Sequence, residues 1–549
     1  MKIIIIGSVA AGTSVAAKAR RNDENAEITL YNADYDISYS ICGIPYFLGG
    51  EVDELETLTP RSAAWFKKRY NVDIHIRHEV IKIDSDKKTI TVKNLDTNDE
   101  SKEDNYDTLV FATGATPTTP SIKGVDMNHV FHVRTIQNTA AINSYMVTND
   151  SKKVTIIGAG FIGLEMAEQL THKGLEVTIV QRSNQIMPHL DKDMAFRVEE
   201  HIRDNGVKLL LNEEAIAISD KTVETKSGNV IHSDMVILAT GVKPNAKLAE
   251  EIGIELGSSG AIRVNSKMQT NLPDIYAVGD VAESFSVVTG KPVYRPLGST
   301  ANKMGRIAGD VITGGDLEHR GILGTGILRV FDLAVGYTGL SEKEALAEGF
   351  DIEVLHNIKP ARAEYLGGKE LVIKAIADRK TSRILGVQIV GQDGVDKRID
   401  VFVTAISYKA KAEDLFHLDL AYAPPFSTTK DPVMYTGMAL QNAIDKKNKL
   451  ITPRELTDRI EGGEKFQIID TRATKQYEVS NVDGAINIPL AELRSEGKKL
   501  DPNLPTVTYC NKGVTGNAAQ NVLTNMGFKE VFNLSGGNKN YQSFKKGNK

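Results

Sequence analysis

The chain has 549 residues, too many for one hydrophobic core, so about three or four domains are expected. Its 71 acidic residues exceed the 66 basic ones by five, a near balance that gives no basis for DNA, RNA or an anionic membrane as the main partner. Apolar residues make up 41%, no apolar run is long enough to span a bilayer, and two cysteines, Cys42 and Cys510, cannot build a disulfide framework. Each thiol is therefore weighed as a reagent against the plainer role of a small buried hydrophobe.

Lys2 to Ile6 reads as a short apolar strand that runs straight into Gly7-Ser8-Val9-Ala10-Ala11-Gly12, and a helix follows from about Thr13 to Arg20. The opening MKIIIIGSVAAGTS has one lysine and an apolar run, as a signal peptide has. Its β-branched residues and glycine turn fit a buried strand better, and a cytoplasmic protein is expected. Strand, turn and helix N-terminus make a phosphate cradle in which Gly7, Ala10, Ala11 and Gly12 face the anion. Val9 stands where the middle glycine of G-x-G-x-x-G belongs, so this turn alone is a weak match. The next strand, Glu27 to Tyr31, ends at Asn32, in the place of the acid that ordinarily holds a ribose. Lys18, Arg20 and Arg21 cluster at the end of the first helix, and a solvated basic face is the plain reading. Ser38-Tyr39-Ser40-Ile41-Cys42-Gly43-Ile44-Pro45 then places Cys42 after the first strand–helix–strand unit.

Two later segments strengthen the first site. Leu109 to Ala115 is a strand that ends in a tight turn at Thr113 and Gly114, and Asp274 to Asp280 is a strand that delivers Gly279 and the Asp280 carboxylate at its C-terminal end. Between them, Val154 to Gly163 is a complete strand plus G-x-G-x-x-G, with Gly158, Gly160 and Gly163 in the turn. Gln181 takes the position of an acid that selects NAD, and Arg182 follows it, so the repulsion of a 2′-phosphate is gone and a cation is at hand. The strand Met235 to Leu238 leads to a second Thr-Gly turn at Gly241.

At this point the chain resembles the flavoprotein reductases with two dinucleotide-binding domains, in which the Thr-Gly and Gly-Asp segments both serve FAD. The stretch Ser38-x-x-x-Cys42-Gly-Ile-Pro-Tyr looks like the single-cysteine coenzyme A-disulfide reductases over residues 1 to 446. The resemblance implies FAD, NAD(P)H and coenzyme A as cofactors, with Glu165 close to the nicotinamide. It implies a mixed disulfide of CoA with Cys42, whose thiol pKa is expected to be lowered by its surroundings. It places Lys18, Arg20, Ser38, Lys303 and Arg306 at the CoA. It also implies a homodimer in which Tyr365 and Tyr422 cross to the partner's cysteine and assist the leaving thiolate.

Behind a polar linker at residues 445–449 lies a separate segment. The strand Thr506 to Tyr509 ends at Cys510-Asn511-Lys512-Gly513-Val514-Thr515-Gly516, and a helix follows. A cysteine in such a nest of amides is suited to hold the charge of a persulfide. These residues look like a rhodanese domain, with one departure: family loops often carry arginine where Thr515 stands. Lys512 is left as the one loop cation, which favours small persulfides over the thiosulfate dianion.

The expected fold is α/β: an FAD-binding domain at 1–115 and 245–320, an NAD(P)H-binding domain at 116–244, an α+β dimerisation domain at 321–446, and a rhodanese-like α/β domain at 450–549. No metal is expected. The expected reaction is reduction of CoA disulfide and of CoA or related persulfides and polysulfides at Cys42, with sulfane sulfur from a donor carried by Cys510. The alternatives are an NAD(P)H oxidase or peroxidase that cycles Cys42 through a sulfenic acid, or a C-terminal module that delivers or senses sulfur for a protein partner.

Overall fold

The structure, a computed structural model, describes residues 1–99 and 102–548. They form two compact units, one of residues 1–99, 102–184 and 206–322 and the other of residues 185–205 and 323–548.

The first unit is built on two five-stranded parallel sheets of matching order. In one, Lys2–Ile6 lies between Thr108–Phe111 and Glu27–Asn32, flanked outside by Ile275–Ala277 and Asp73–Ile76. In the other, Lys153–Ile157 lies between Met235–Leu238 and Glu176–Gln181, with Val130–His132 and Lys208–Leu211 outermost. Central parallel strands are covered on both faces, which is why Ile3, Ile4, Ile5 and Ile6 form an unbroken apolar run, all buried. The helix Ala10–Asn22 packs along Gly298–Ile312 through small residues, among them Ala11 and Ala301. Both strand–turn–helix units therefore open at the C-terminal edge of their sheet, where an α/β fold binds ligands. The two Thr-Gly turns lead into Ala115–Pro117 and Val242–Pro244, which pair antiparallel and join the two halves.

The second unit contains a five-stranded antiparallel sheet in the order Gly326–Val330, Leu333–Gly339, Ile384–Gly391, Glu370–Asp378 and Ile352–Pro360. It also contains a five-stranded parallel sheet in which Thr506–Tyr509 lies between Val531–Leu534 and Gln467–Asp470. The two sheets lie on either side of the boundary expected near residue 447 within one compact unit, and residues 185–205, read from the sequence as part of the second dinucleotide domain, group with that unit.

Buried charge explains that regrouping. Lys374, its side chain only 2% exposed, pairs with Asp193 at 2.8 Å, Asp191 at 3.2 Å and Glu342 at 2.7 Å. His356 joins through Nε2 to Asp193 at 2.5 Å, and Nδ1 lies 3.1 Å from Ser535 Oγ. Burial opposes the charge on Asp193, but Lys374 and His356 outweigh it and hold the carboxyl well below its ordinary range. Burial likewise pulls Lys374 down, and the surrounding carboxylates carry it above an ordinary lysine. The Ser535–His356–Asp193 order mimics a hydrolase triad. Ser535 Oγ is buried, however, and accepts the His356 backbone N–H at 2.7 Å, so the arrangement ties the two sheets together and is closed to substrate.

Candidate active site

The first glycine turn is tight for a specific reason. Gly7 has φ +105, and a Cβ there would lie 2.2 Å from the carbonyl oxygen of Ala112. Gly158 repeats this with φ +109 and 2.3 Å to Ala239 O. At Gly160 a Cβ would meet nothing within 4 Å, so the second turn is open where a dinucleotide backbone approaches. In the first turn Ser8 Oγ is buried without a hydrogen-bond partner. These features fit two dinucleotides. Asn32 spends its amide nitrogen on the carbonyls of Asp34 and Asp36, while Gln181 Oε1 accepts the Ala159 N–H at 3.0 Å and so braces the second turn. Arg182 is exposed beside it. Thr113 Oγ1 donates to Asn245 O at 2.8 Å, and Thr240 Oγ1, next to Gly241, donates to Thr118 O at 2.6 Å.

Cys42 sits in the 3-10 turn Ile41–Gly43, ahead of the short helix Ile44–Gly49 with proline in its first turn. Ser38, in left-handed backbone at φ 49, donates its N–H to Ser8 O at 2.9 Å and thereby hangs the cysteine segment from the first glycine turn. Cys42 is exposed on one side, yet the atoms packed around its sulfur still desolvate it. Burial, then Glu165, then Asp280 push the thiol up, and Arg134 works against them. The expected lowering is thus reversed by the chain's own groups: two carboxylates face the sulfur and one guanidinium opposes them. The same fact brings Cys42, Glu165 and Asp280 into one neighbourhood. Arg134 Nη2 lies 3.6 Å from Asp280, whose carboxyl is raised by burial and lowered by that arginine.

In the second unit, Tyr365 and Tyr422 are 79% and 50% exposed, so both hydroxyls can reach another molecule. Their loops are joined where Ala363 N–H donates to Pro424 O at 3.3 Å. Arg398, fully buried against Asp431 at 2.9 Å, also donates to Ala361 O at 2.7 Å and fixes the base of the Tyr365 loop.

Cys510 is buried at the end of Thr506–Tyr509, and Gly513, the N-cap of Val514–Asn525, donates its N–H to Sγ at 3.2 Å. The loop, from Asn511 through Lys512, Gly513, Val514 and Thr515 to Gly516, is held from three sides. Arg472, paired with buried Asp470, donates to Asn511 Oδ1 at 3.0 Å. Asn533 donates to Gly513 O at 3.1 Å, and Asn538 N–H to Cys510 O at 2.8 Å.

Family comparison decides what these turns belong to. The pyridine nucleotide-disulphide oxidoreductase family matches residues 1–304, its dimerisation domain residues 327–432, and the rhodanese-like domain residues 452–544. The chain belongs to the pyridine nucleotide-disulphide oxidoreductases. Its fold is similar to that of the reduced Bacillus anthracis protein CoADR-RHD, with a TM-score of 0.95 and 39% identity over 99% of this chain and 98% of that one. A Pyrococcus furiosus relative, an NAD(P)H sulfur oxidoreductase (CoA-dependent), is 38% identical over 80% of this chain and 99% of its own length. A Methanocaldococcus jannaschii relative called NADH oxidase is also 38% identical, over 81% of this chain and 99% of its own length.

As an oxidoreductase of this family the chain departs from the sequence reading at three cations. Arg20 is buried, and its guanidinium donates to the carbonyls of Tyr70, Asp23, Glu24, Ala26 and Asn71. It closes the end of its helix and has no donor to offer a phosphate. Lys18 is spent on Asp310 at 2.9 Å and Asn22. Lys512 is bound by Glu370 and is not the free loop cation that its sequence position suggests. Lys303 and Arg306 are exposed, and Arg61 Nη1 lies 3.5 Å from Ser38 Oγ. Arg134 was also missed; its one sequence signal is the capping box that Thr135 and Asn138 form immediately after it. Glu51, Glu168 and His172 bring ligand atoms within 4.8 Å of one another. Gln169 ties the two carboxylates by donating to Glu51 at 2.8 Å and Glu168 at 3.3 Å.

Proposed function

We propose that this chain is a cytoplasmic, homodimeric NAD(P)H-dependent reductase of CoA disulfide and of CoA persulfide or related polysulfides, with a sulfane-sulfur donor feeding Cys510. The observation that carries the reading is one solvent-reachable thiol at the edge of two dinucleotide turns, with the chain's other thiol in a rhodanese loop. FAD, when bound, supplies the relay that carries two electrons from NAD(P)H to sulfur. Gly7, Ala10, Ala11, Gly12, Asn32, Thr113, Gly114, Gly279 and Asp280 would hold it. Gly158, Gly160, Gly163, Glu165, Gln181, Arg182 and Gly241 would hold the nicotinamide nucleotide, and NADPH is accepted for want of an acid at Gln181.

Cys42 thiolate attacks CoA disulfide, forms the mixed disulfide and releases one CoA thiolate. Two electrons and a proton then regenerate Cys42 and release the second CoA. Overall, CoA-S-S-CoA, NAD(P)H and one proton give two CoA-SH and NAD(P)⁺; a CoA persulfide gives CoA-SH and hydrogen sulfide instead. The exposed loops of the partner subunit's Tyr365 and the partner subunit's Tyr422 would donate hydrogen bonds to the leaving thiolate. Ser38, Arg61, Lys303 and Arg306 remain as groups for the CoA.

The test is anaerobic NADPH and NADH consumption with CoA disulfide or CoA persulfide, with thiol and sulfide quantified. A two-electron stoichiometry supports the reading. The second reading, an oxidase or peroxidase, is favoured by the name of the Methanocaldococcus jannaschii relative. Turnover with oxygen or peroxide alone, and none with sulfur substrates, selects it.

A further inference from the structure

The ion pairs around Cys510 leave one cation of its cavity over. The cavity, about 400 Å³, is lined by Cys510, Thr515, Arg472 and Lys512, and also by Lys359, which comes from the strand Ile352–Pro360 of the dimerisation domain. Arg472 is paired with Asp470, and Lys512 shares the one carboxylate of Glu370 with Lys539, which lies 2.6 Å from it. Among the described residues no carboxylate acts on Lys359; its ammonium lies 3.8 Å from the centroid of the Tyr435 ring, with Lys430 at 6.0 Å from the same ring. Burial, then Lys512, push the Lys359 ammonium below an ordinary lysine, with the Cys510 sulfur pulling the other way and Lys430 adding to the lowering. A half-buried cation crowded by other cations and braced only by a ring face is a site prepared for an anion. It stands in the cavity whose loop has Thr515 where a rhodanese ordinarily has arginine.

We propose that Lys359 is a specificity-determining residue of the Cys510 site and binds the anionic group of a sulfane-sulfur donor, either thiosulfate or an acidic organic persulfide. The inference rests on the reading that Cys510 carries sulfane sulfur. With thiosulfate, Cys510-S⁻ attacks the outer sulfur, the S–S bond of the donor breaks, and Cys510-S-S⁻ and sulfite are formed. With an organic persulfide, R-S-SH gives Cys510-S-SH and R-S⁻. In both cases Lys359 faces negative charge on the donor body as the bond exchanges. Lys359 thereby supplies, from a strand outside the rhodanese domain, a cation that the loop lacks, and thiosulfate is again open as a donor.

The test follows persulfidation of Cys510 by peptide-resolved mass spectrometry on the full-length holoprotein. The donors are thiosulfate, glutathione persulfide, and the persulfide of 2-mercaptoethanol, whose body is uncharged. In Lys359→Gln the rate falls about three- to tenfold with one or both anionic donors and stays within about twofold for the uncharged one, and Lys359→Arg restores it. A loss confined to thiosulfate assigns the site to the inorganic dianion, and a loss confined to glutathione persulfide assigns it to organic acids. The ratio of iodoacetate to iodoacetamide labelling at Cys510 reads the same charge without any donor. It falls by a similar factor in Lys359→Gln and rises in Glu370→Gln, which frees Lys512. Equal slowing of all three donors with an unchanged labelling ratio overturns the inference and leaves Lys359 a packing residue. A wild-type Cys510 that takes sulfur from none of the donors overturns the reading beneath it.

Discussion

The two thiols of this chain have opposite surroundings. Cys42 is exposed in a short turn and faces the carboxylates of Glu165 and Asp280, with Arg134 as the opposing cation. Cys510 is buried, accepts an amide N–H from Gly513, and shares its cavity with Lys359, Lys512 and Arg472. The carboxylates beside Cys42 favour its protonated form and so work against its nucleophilic thiolate. Fixed amides and cations such as those around Cys510 suit a thiol that holds an extra sulfur as Cys-S-S⁻. The two thiols thus differ in burial, in local backbone and in the sign of the charge around them.

The substitution with the largest expected effect removes the first thiol. Cys42→Ser lowers NAD(P)H-linked CoA-disulfide turnover by roughly a thousandfold or more, the scale on which covalent nucleophiles fail. Flavin content, read by absorbance, stays unchanged, because Cys42 holds none of the dinucleotide.

Away from the thiols, the second unit is held by the Lys374 network. Lys374→Ala leaves buried Asp191 without its lysine and part-buried Asp193 with His356 alone, and destabilises the second unit by about 3–5 kcal/mol, visible as a lowered calorimetric transition. The pH dependence follows from the two directions of shift. Asp193 titrates below its ordinary value of 3.8, so its contribution is present above that value and is lost as pH falls through the lower folded value. Lys374 titrates above its ordinary 10.5, so its contribution is present below that value and is lost only as pH rises through the higher folded value. The network is therefore at full strength throughout the neutral range. A transition that weakens between pH 6 and 8 for loss of this pair contradicts the assignment.

A finer contrast between the thiols lies in Glu165. Glu165→Gln removes a carboxylate that raises the Cys42 thiol, so iodoacetamide labelling of Cys42 at pH 7 accelerates about three- to tenfold while labelling of Cys510 is unchanged. Arg134→Gln moves Cys42 the other way. The smallest effect concerns the nucleotide: Arg182→Ala lowers kcat/KM for NADPH about threefold and leaves NADH within twofold, since one exposed cation on a phosphate contributes little.

What the sequence disclosed and what it hid divide along the same physical line. Glycine turns are legible because a Cβ at Gly7 or Gly158 would enter a neighbouring carbonyl, so the residue type itself reports the geometry. The Cys510 loop is legible for a similar reason, as its glycines and amides are local in sequence. Cations are not legible this way. Arg20 looks like a surface charge, but its side chain turns inward to close carbonyls at Tyr70 and Asn71, far along the chain. Lys512 looks free until Glu370 is brought to it, and Lys359 looks like an ordinary strand residue until the dimerisation sheet places it in the cavity of Cys510. Likewise the direction of the Cys42 shift depends on Glu165 and Asp280, which only the fold collects.

The most direct measurement of the two-thiol account is anaerobic NADPH consumption by wild type, Cys42→Ser and Cys510→Ser with CoA disulfide and with polysulfide. The account predicts that Cys42→Ser stops both reactions. It also predicts that Cys510→Ser leaves CoA-disulfide reduction within about twofold of wild type and slows polysulfide reduction about tenfold or more. Polysulfide reduction that is indifferent to Cys510, or CoA-disulfide reduction that survives the loss of Cys42, contradicts it.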